Sequence, residues 1–310
     1  MVGSSHGIRD VFSQIRRSAP FGVPVLLIGE PGTGKHLTGL AIHDRSPRAE
    51  GPFVTSDCGA LPPTLLDAQL FGSAPPCRCG GGAAAGQIEA AAEGTLYLDE
   101  IEELPVPLQQ KLVAVLTEGM SERAGGRERV PADVRILAAT PRDLAPAVRQ
   151  GRFREDLFEL LRVLTIRLPA LRERGDDVLL IARYFLTRYA AIRPTPLRGF
   201  TKTADEAMLA HDWPGNVREL EHRVRNAALV SDRARIRAED LELVPSGPTG
   251  RVQTLYAARR QAEARCVRAA LQQARGDLAE AARLLGISRR ELARLRGRDP
   301  LPPQRPHSHA

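Results

Sequence analysis

The chain reads Gly29-Glu30-Pro31-Gly32-Thr33-Gly34-Lys35 directly after the apolar run Val25-Leu26-Leu27-Ile28, and a helical pattern follows. Strand, glycine-rich turn and helix in that order are the context in which G-x-x-x-x-G-K binds phosphate. The glycines let backbone N–H groups wrap the phosphate oxygens, the helix N-terminus adds a favourable dipole, and Lys35 adds a positive charge. The segment, extended by His36, therefore predicts the phosphate-binding loop of a nucleotide site.

Two further apolar runs predict other strands of the same sheet. They are Thr95-Leu96-Tyr97-Leu98 and Val134-Arg135-Ile136-Leu137-Ala138-Ala139, and longer amphipathic stretches separate them. Short apolar runs that alternate with helical patterns are typical of buried parallel strands in an α/β fold. We expect a P-loop core of three layers, α/β/α, over residues 1–171.

The pattern changes after this core. From residue 172 to residue 244 it becomes helical throughout, which predicts an all-α lid subdomain, and Trp213-Pro214-Gly215-Asn216 has the composition of a turn that starts a new helix. Residues 245–254 have the composition of a linker. A second helical unit is predicted over residues 255–299, and the Pro- and His-rich residues 300–310 are predicted to be disordered.

Two carboxylates follow the strand that begins at Thr95. Asp99 is suited to hold Mg²⁺ through water, and Glu100 is suited to polarise an attacking water molecule. A phosphate loop of this type usually continues with Ser or Thr, whose hydroxyl binds the metal, but this chain has His36. We therefore expect the metal to depend on Asp99, with ATP and Mg²⁺ as the cofactors.

Residues 255–299 carry the pattern of a helix-turn-helix. Asp277 can cap a helix that ends near Leu285, and Gly286 permits the tight turn after it. Ser288 opens a capping box for the next helix, whose N-terminal residues would read base edges. The predicted DNA contacts are Ser288, Arg289, Arg290 and Arg294. The small core is predicted to contain Leu278, Ala282, Leu285, Ile287 and Leu292.

The positive charge of the chain lies at the same end. Residues 251–310 contain 13 arginines and 5 acidic residues, whereas residues 1–250 contain 31 basic and 32 acidic residues. A localised positive excess indicates a polyanionic partner, and an aromatic content of 4% argues against base stacking on a single strand. Duplex DNA is the predicted partner.

Cysteine content and hydropathy argue against two other classes of protein. Four cysteines without a charged and then apolar leader predict a reducing cytoplasm rather than a disulfide framework. Cys77 and Cys79 could chelate a metal, but two thiolates alone make a poor tetrahedral site. The longest apolar run, near residues 23–28, is far shorter than the roughly 20 residues of a membrane helix, so no membrane contact is expected.

These motifs together resemble one family, the AAA+ central domains of σ54-dependent transcriptional activators, also called bacterial enhancer-binding proteins. The likeness runs from Val2 to about Leu243 and is carried by residues 51–54, 93–101, 151–157, 167–174 and 213–220. It implies a ring-forming ATPase, usually a hexamer, that remodels the closed complex of σ54 RNA polymerase. Residues 269–289 are similar to the Fis-type helix-turn-helix, a module that binds palindromic DNA as a dimer.

The resemblance assigns roles to individual residues. Lys35 is similar to the phosphate-binding lysine, and Asp99 with Glu100 resembles the Walker B pair. Arg218 matches the sensor II arginine of the lid, and Arg154 matches the first arginine of a finger segment that reaches the nucleotide of a neighbouring subunit. Such an arginine would stabilise the charge that develops on the γ-phosphoryl group.

One loop and three single positions depart from the family pattern. The loop that usually reads Gly-Ala-Phe-Thr-Gly-Ala and contacts σ54 is replaced by Pro76-Cys77-Arg78-Cys79-Gly80-Gly81. The sensor I asparagine is Pro141, the asparagine that restrains the catalytic glutamate is Asp57, and the second finger arginine is Leu160. We therefore expect ATP binding with weak hydrolysis, and an impaired capacity to remodel σ54.

Two functions are compatible with these features. The first is an ATP-driven activator bound to upstream DNA, and the second is a nucleotide-gated DNA-binding repressor or activator of σ70-type promoters that does not remodel σ54. Another AAA+ machine, such as a helicase loader, is disfavoured by the helix-turn-helix. In both leading interpretations the protein partners are RNA polymerase holoenzyme and further copies of this chain.

Overall fold

The computed structural model describes residues 1–73, 84–125, 129–190, 197–243 and 277–287, together with Ala270, Ala274 and Leu292. The chain divides into two units, Met1–Pro245 and Ser246–Ala310. The predicted DNA contacts Ser288, Arg289, Arg290 and Arg294 lie outside the described residues, as do residues 76–81 and 300–310. Within the described ranges, no helix has the length and hydropathy needed to span a bilayer.

The described residues of the first unit form seven strands. They are β1 (Val25–Ile28), β2 (Phe53–Asp57), β3 (Thr95–Asp99), β4 (Met120–Glu122), β5 (Arg129–Pro131), β6 (Arg135–Thr140) and β7 (Leu164–Arg167). Five of them make a parallel sheet in the order β2-β3-β6-β1-β7, and β4 pairs with β5 in a separate antiparallel hairpin. The expected parallel sheet is confirmed, although the third predicted strand begins at Arg135 rather than Val134.

Helices surround this sheet and build the lid. The described helices are α1 (His6–Ser18), α2 (Lys35–His43), α3 (Pro63–Phe71), α4 (Gln87–Ala90), α5 (Val106–Glu118), α6 (Ala145–Arg149), α7 (Glu155–Leu161), α8 (Asp177–Ala190), α9 (Lys202–Ala210), α10 (Asn216–Val230) and α11 (Leu278–Leu285). The last of them belongs to the second unit.

Alternate residues of β1 face two hydrophobic cores. Val25 and Leu27 pack with the apolar residues of α1 and α2, whereas Leu26 and Ile28 belong to the cluster that contains α3, α5 and α7. A strand that is buried on both faces reads as a continuous apolar run, which explains the sequence pattern. The predicted three-layer α/β/α core is confirmed.

The lid is built around Trp213. This side chain is fully buried between α8, α9 and α10, and its indole N–H donates to the Met208 carbonyl over 2.8 Å. As predicted, the turn that contains Trp213 starts a helix, since α10 begins at Asn216. The expectation that the whole segment is helical needs one correction, because Phe200 and Ile236 form an isolated parallel bridge.

The described part of the second unit agrees with the predicted helix-turn-helix. Asp277 caps α11 by accepting a hydrogen bond from the Glu280 amide over 3.3 Å, and Gly286 follows the helix with a left-handed φ of +66°. The hydrophobic cluster of this unit contains the predicted core residues Leu278, Ala282, Leu285, Ile287 and Leu292. The first helix of the pair and its tight turn are therefore as expected.

Candidate nucleotide site

The loop between β1 and α2 forms a cradle of backbone amides. Gly32 and Gly34 adopt φ values of +78° and +105°, a left-handed conformation that favours glycine. Among the residues that the structure describes, the N–H groups of Gly34, Lys35 and His36 have no hydrogen-bond acceptor. Amides at the start of a helix that follow such a turn make a concavity for anions. The cradle therefore fits a chain of phosphate groups.

Lys35 lies inside this cradle. Its side chain is 8% exposed, and its Nζ donates to the carbonyl oxygens of Gly29 at 2.9 Å and Glu30 at 3.4 Å. Burial lowers the pKa of Lys35, while the nearby charge of Asp99 opposes that shift. A buried ammonium group that is bonded to neutral carbonyl oxygens is suited to receive an anionic ligand.

Three carboxyl groups lie beside the cradle at the carboxyl ends of β2 and β3. Asp57 and Asp99 are direct neighbours in the register of these strands. A methyl group on Gly59 would lie 2.8 Å from Glu100 Oε2 and 3.6 Å from Asp57 Oδ1, so both carboxyls border that glycine. Desolvation raises the pKa of Glu100, and the charges of Asp57 and Asp99 raise it further. Asp57 is thus a direct electrostatic neighbour of Glu100.

These carboxyl groups fit the metal that the fold implies. Mg²⁺ keeps several waters in most sites and is bound by one or two carboxylates together with substrate phosphates. Among the described residues, no group of three or more His, Cys, Asp or Glu side chains is arranged to hold a metal ion. Asp99, beside the amide cradle, is the residue that could hold it through water, and Glu100 next to it is left for the attacking water.

His36 is engaged by aromatic side chains. Its ring lies 5.3 Å from the ring of Tyr97 and 5.8 Å from that of Phe53, both in edge-on geometry. These contacts explain why an imidazole fits at this position, where other phosphate loops place a hydroxyl group. Its contribution to the cradle therefore comes from the backbone amide.

The lid contacts the phosphate loop through hydrogen bonds that the sequence did not predict. Asn216 donates from Nδ2 to the Glu30 carboxylate at 3.1 Å and to the Pro31 carbonyl at 3.0 Å. The Val217 amide donates to the Gly32 carbonyl at 3.0 Å. Residues of the loop and of the lid that are about 185 positions apart in the chain are therefore in direct contact.

Two arginines complete this junction. The two terminal guanidinium nitrogens of Arg172 donate hydrogen bonds to the Glu30 carboxylate at 2.8 and 2.5 Å. These bonds hold the pKa of Glu30 at about 2, and the hydrogen bond from Asn216 adds to the effect. Arg174 is buried and donates to the Thr33 carbonyl at 2.9 Å. Glu30, which the sequence placed in the nucleotide site, thus directs its carboxylate to the lid.

The two arginines assigned by resemblance lie in different settings. Arg218 is exposed. It lies next to the phosphate loop, since a methyl group on Gly32 would be 3.1 Å from the Arg218 Cβ. Arg154 directly precedes α7 and forms a two-point ion pair with Asp156 at 3.0 and 2.7 Å, which raises the pKa of Arg154. An exposed pair of this kind contributes little to stability, so Arg154 can exchange its partner.

Pro141 and Leu160, two of the positions that depart from the family pattern, lie in described parts of the structure. After β6, at the position of Pro141, the Thr140 hydroxyl donates to the Arg142 carbonyl over 3.0 Å and closes a small turn. Leu160 is half-buried on α7 and offers no hydrogen-bond donor. Neither position supplies a polar side chain that could orient a water molecule or a phosphate.

A cavity of about 370 Å³ opens beside the phosphate loop, and the sequence did not predict it. It is lined by Met1, Val2, Thr33, Gly34, Leu37, Arg174, Ile181, Tyr184, Phe185, Arg188, Val217 and Glu221. Apolar and aromatic walls with a few polar groups are typical of small-molecule sites. The lining comes from the N-terminal segment, the phosphate loop with α2, and the lid, which are distant in the sequence, so no single motif pointed to this cavity.

The fold and the site together define an AAA+ protein, with a P-loop core and a helical lid. In agreement, three families match successive parts of the chain. Residues 1–167 match the Sigma-54 interaction domain, residues 172–249 match the AAA+ ATPase lid domain, and residues 258–295 match the Fis family of bacterial regulatory proteins. The chain belongs to the family of AAA+ transcription regulators that carry the Sigma-54 interaction domain and a Fis-type helix-turn-helix.

Individual relatives agree with this assignment. The chain is 42% identical to the Nif-specific regulatory protein of Azotobacter vinelandii and 38% identical to the transcriptional regulatory protein ZraR of Escherichia coli K12. Each alignment covers 94% of this chain, but only 57% and 67% of the respective relatives, so the chain spans little more than half of the first.

Solved structures of one protein are also similar. Crystal structures of NtrX from Brucella abortus in complex with ADP and with ATP superpose with TM-scores of 0.75 and 0.71, at 31% and 32% identity. These alignments cover 96% and 95% of this chain, and 69% and 68% of the NtrX chain.

The approach of the lid to the phosphate loop generates a stability prediction. A methyl group on Gly32 would lie 2.2 Å from the Gly215 carbonyl oxygen, whereas one on Gly34 would meet nothing within 4 Å. Gly34→Ala is expected to cost roughly 1–2 kcal/mol for its left-handed backbone. Gly32→Ala is expected to cost about 1–3 kcal/mol more because it also overlaps the lid.

The prediction is checked by urea unfolding of the nucleotide-free protein, monitored through the fluorescence of Trp213. This residue is the single tryptophan of the chain and lies in the lid. Equal losses of unfolding free energy in the two variants would show that the loop and the lid are not in contact in solution.

Proposed function

We propose that this chain is an ATP-binding, sequence-specific DNA-binding transcription regulator of the σ54-interacting type, with weak ATP hydrolysis and an impaired capacity to remodel σ54. The observation that carries the nucleotide part is the amide cradle around buried Lys35, with Asp99 and Glu100 beside it. The NtrX structures with ADP and with ATP support it by likeness.

Different residues of the chain would bind the phosphates, hold the metal and accept the proton. The loop amides and Lys35 bind the β- and γ-phosphates, and Arg218 adds a positive charge from the lid. Asp99 would hold Mg²⁺ through water, and the bound metal would supply positive charge against the phosphate chain. Glu100 accepts a proton from the attacking water, and Arg154 of a neighbouring copy would complete the site. The cavity beside the loop is proposed to take the adenine base.

Weak hydrolysis follows from the surroundings of Glu100. Desolvation and, after it, the charge of Asp57 raise the pKa of Glu100, and the Asp57 carboxylate has no N–H with which to hold the Glu100 side chain as an amide would. Pro141 and Leu160 remove two further groups that would contact the phosphates or the water. Binding depends on none of these three residues, so ATP is expected to bind more readily than it is cleaved.

The sequence of residues 76–81 favours one alternative function. A segment that lacks the aromatic and threonine residues of the family loop offers no large apolar anchor for σ54, and its glycines cost entropy to order. The alternative is a nucleotide-gated repressor or activator of σ70-type promoters, with a dimer bound to a palindromic operator.

Lys35→Ala is expected to weaken the binding of Mg·ATP, because it removes the positive charge from the β- and γ-phosphates. A charge-assisted contact of this kind is worth roughly 1.5–3 kcal/mol, which corresponds to about a 10- to 150-fold rise in Kd. Titration calorimetry measures this change. Lys202→Ala, whose side chain is 91% exposed in the lid, is the matched control, and equal affinities of all three proteins would refute the proposed site.

Arg289→Ala or Arg290→Ala is expected to relax sequence preference on duplex DNA, since either side chain could form a two-point contact with guanine. The expected loss of discrimination is about 1–3 kcal/mol. Gel-shift titrations at physiological salt test this, with Arg305→Ala in the predicted tail as the control. If deletion of residues 251–310 left DNA affinity unchanged, the assignment of the DNA-binding end would be wrong.

The chain is expected not to open σ54 promoters by itself. The deciding assay is open-complex formation with purified σ54 holoenzyme and ATP, with σ70 holoenzyme in parallel. No opening is predicted for the natural chain, and opening regained after Gly-Ala-Phe-Thr-Gly-Ala replaces residues 76–81 would locate the defect in that segment. Robust opening by the unaltered chain would contradict this proposal and establish the conventional activity.

A further inference from the structure

The backbone conformation of residue 216 does not by itself explain why this residue is an asparagine. It is the first residue of α10, it is fully buried, and its φ is +53°. Glycine, aspartate and asparagine all tolerate this left-handed conformation. A role for the asparagine itself must therefore come from its carboxamide.

The carboxamide uses its donor and acceptor groups on two separate parts of the chain. Oδ1 accepts a hydrogen bond from the Leu171 amide at 2.8 Å, where the core passes into the lid. Both Nδ2 bonds go to the phosphate loop, at Glu30 Oε2 and the Pro31 carbonyl. A buried side chain that needs one acceptor and two donors cannot be replaced by aspartate without loss.

Neighbouring contacts extend this bridge over the whole turn. The Gly32 carbonyl accepts from the Val217 amide, and the Thr33 carbonyl accepts from Arg174. Four consecutive loop residues, 30–33, are therefore each bonded to the lid or to the segment that leads into it. These bonds fix the direction of the loop carbonyls, and with them the direction of the N–H groups that form the cradle.

We propose that Asn216 is a positioning residue for nucleotide binding, which holds the phosphate loop in its receptive shape and couples that shape to the lid. The inference rests on the proposed binding of ATP. It adds that the affinity of the cradle depends on a side chain that does not itself touch the nucleotide. The coupling runs in both directions, since a ligand that favours the held loop also favours the docked lid.

Asn216→Asp is the first test. The variant keeps the shape and the backbone preference of the residue, but it places acceptor atoms against the Glu30 carboxylate and the Pro31 carbonyl. Calorimetry with Mg·ATP is expected to give a Kd raised roughly 10- to 100-fold. Asn226→Asp, the same change on the exposed face of the same helix, is expected to bind ATP like the natural chain.

A second substitution that restores ATP binding would distinguish a positioning role of Asn216 from a general loss of folding. In the double variant Asn216→Asp with Glu30→Gln, the new amide can donate to the new carboxylate, and most of the lost affinity is expected to return. An Asn216→Asp protein that binds ATP as tightly as the natural chain would overturn the proposal. So would a folded double variant without any recovery. Failure of the natural chain to bind ATP would instead overturn the proposed function.

Glu30→Ala covers the case in which Asn216→Asp does not fold. Glu30 is 39% exposed, so its loss should leave the fold intact. Removal of a negative charge near the phosphates would by itself tighten ATP binding. The bridge predicts the opposite sign, with a Kd raised about 3- to 10-fold, because the loop loses its hydrogen bond to Asn216 together with the two hydrogen bonds from Arg172. Unchanged or tighter binding by this variant would overturn the proposal.

Discussion

The hydrogen bonds between the phosphate loop and the lid are the constraint on which the site depends. A glycine-rich loop has many accessible conformations, and fixing each residue costs roughly 1–2 kcal/mol of entropy. Here the strand before the loop and the helix after it fix its two ends, while Arg172, Arg174 and Asn216 fix its middle. The cradle is therefore a property of the docked core and lid together.

We propose that nucleotide binding and hydrolysis are separated in this chain, because they make different demands on the site. Binding requires free amides and a buried cation, and both are present around Lys35. Hydrolysis requires an ionised base and groups that orient water. The Asp57 carboxylate beside Glu100 and the proline at position 141 supply no side-chain donor that could orient the base or the water. A regulator in which nucleotide binding sets the shape of the lid, with slow turnover, is consistent with this balance.

Local patterns were sufficient to predict much of the fold. The parallel sheet follows from continuous apolar runs, and the start of α10 and the cap at Asp277 follow from turn and capping residues. The position of the two carboxylates at the end of β3 could be predicted, because the carboxyl ends of parallel strands lie at the same edge of the sheet. The bridge from Asn216 to Glu30 and the cavity beside the loop could not be predicted, because they join segments that are distant in the chain. No periodicity encodes such a contact.

Amide hydrogen exchange tests the coupling of loop and lid most directly. The Leu171 amide donates to Asn216 Oδ1, and the Val217 amide donates to the Gly32 carbonyl, so both report the docked lid. With saturating Mg·ATP, exchange at Leu171 and Val217 is predicted to slow together with exchange at Gly34, Lys35 and His36. Protection confined to residues 29–36, with Leu171 and Val217 unchanged, would contradict the account.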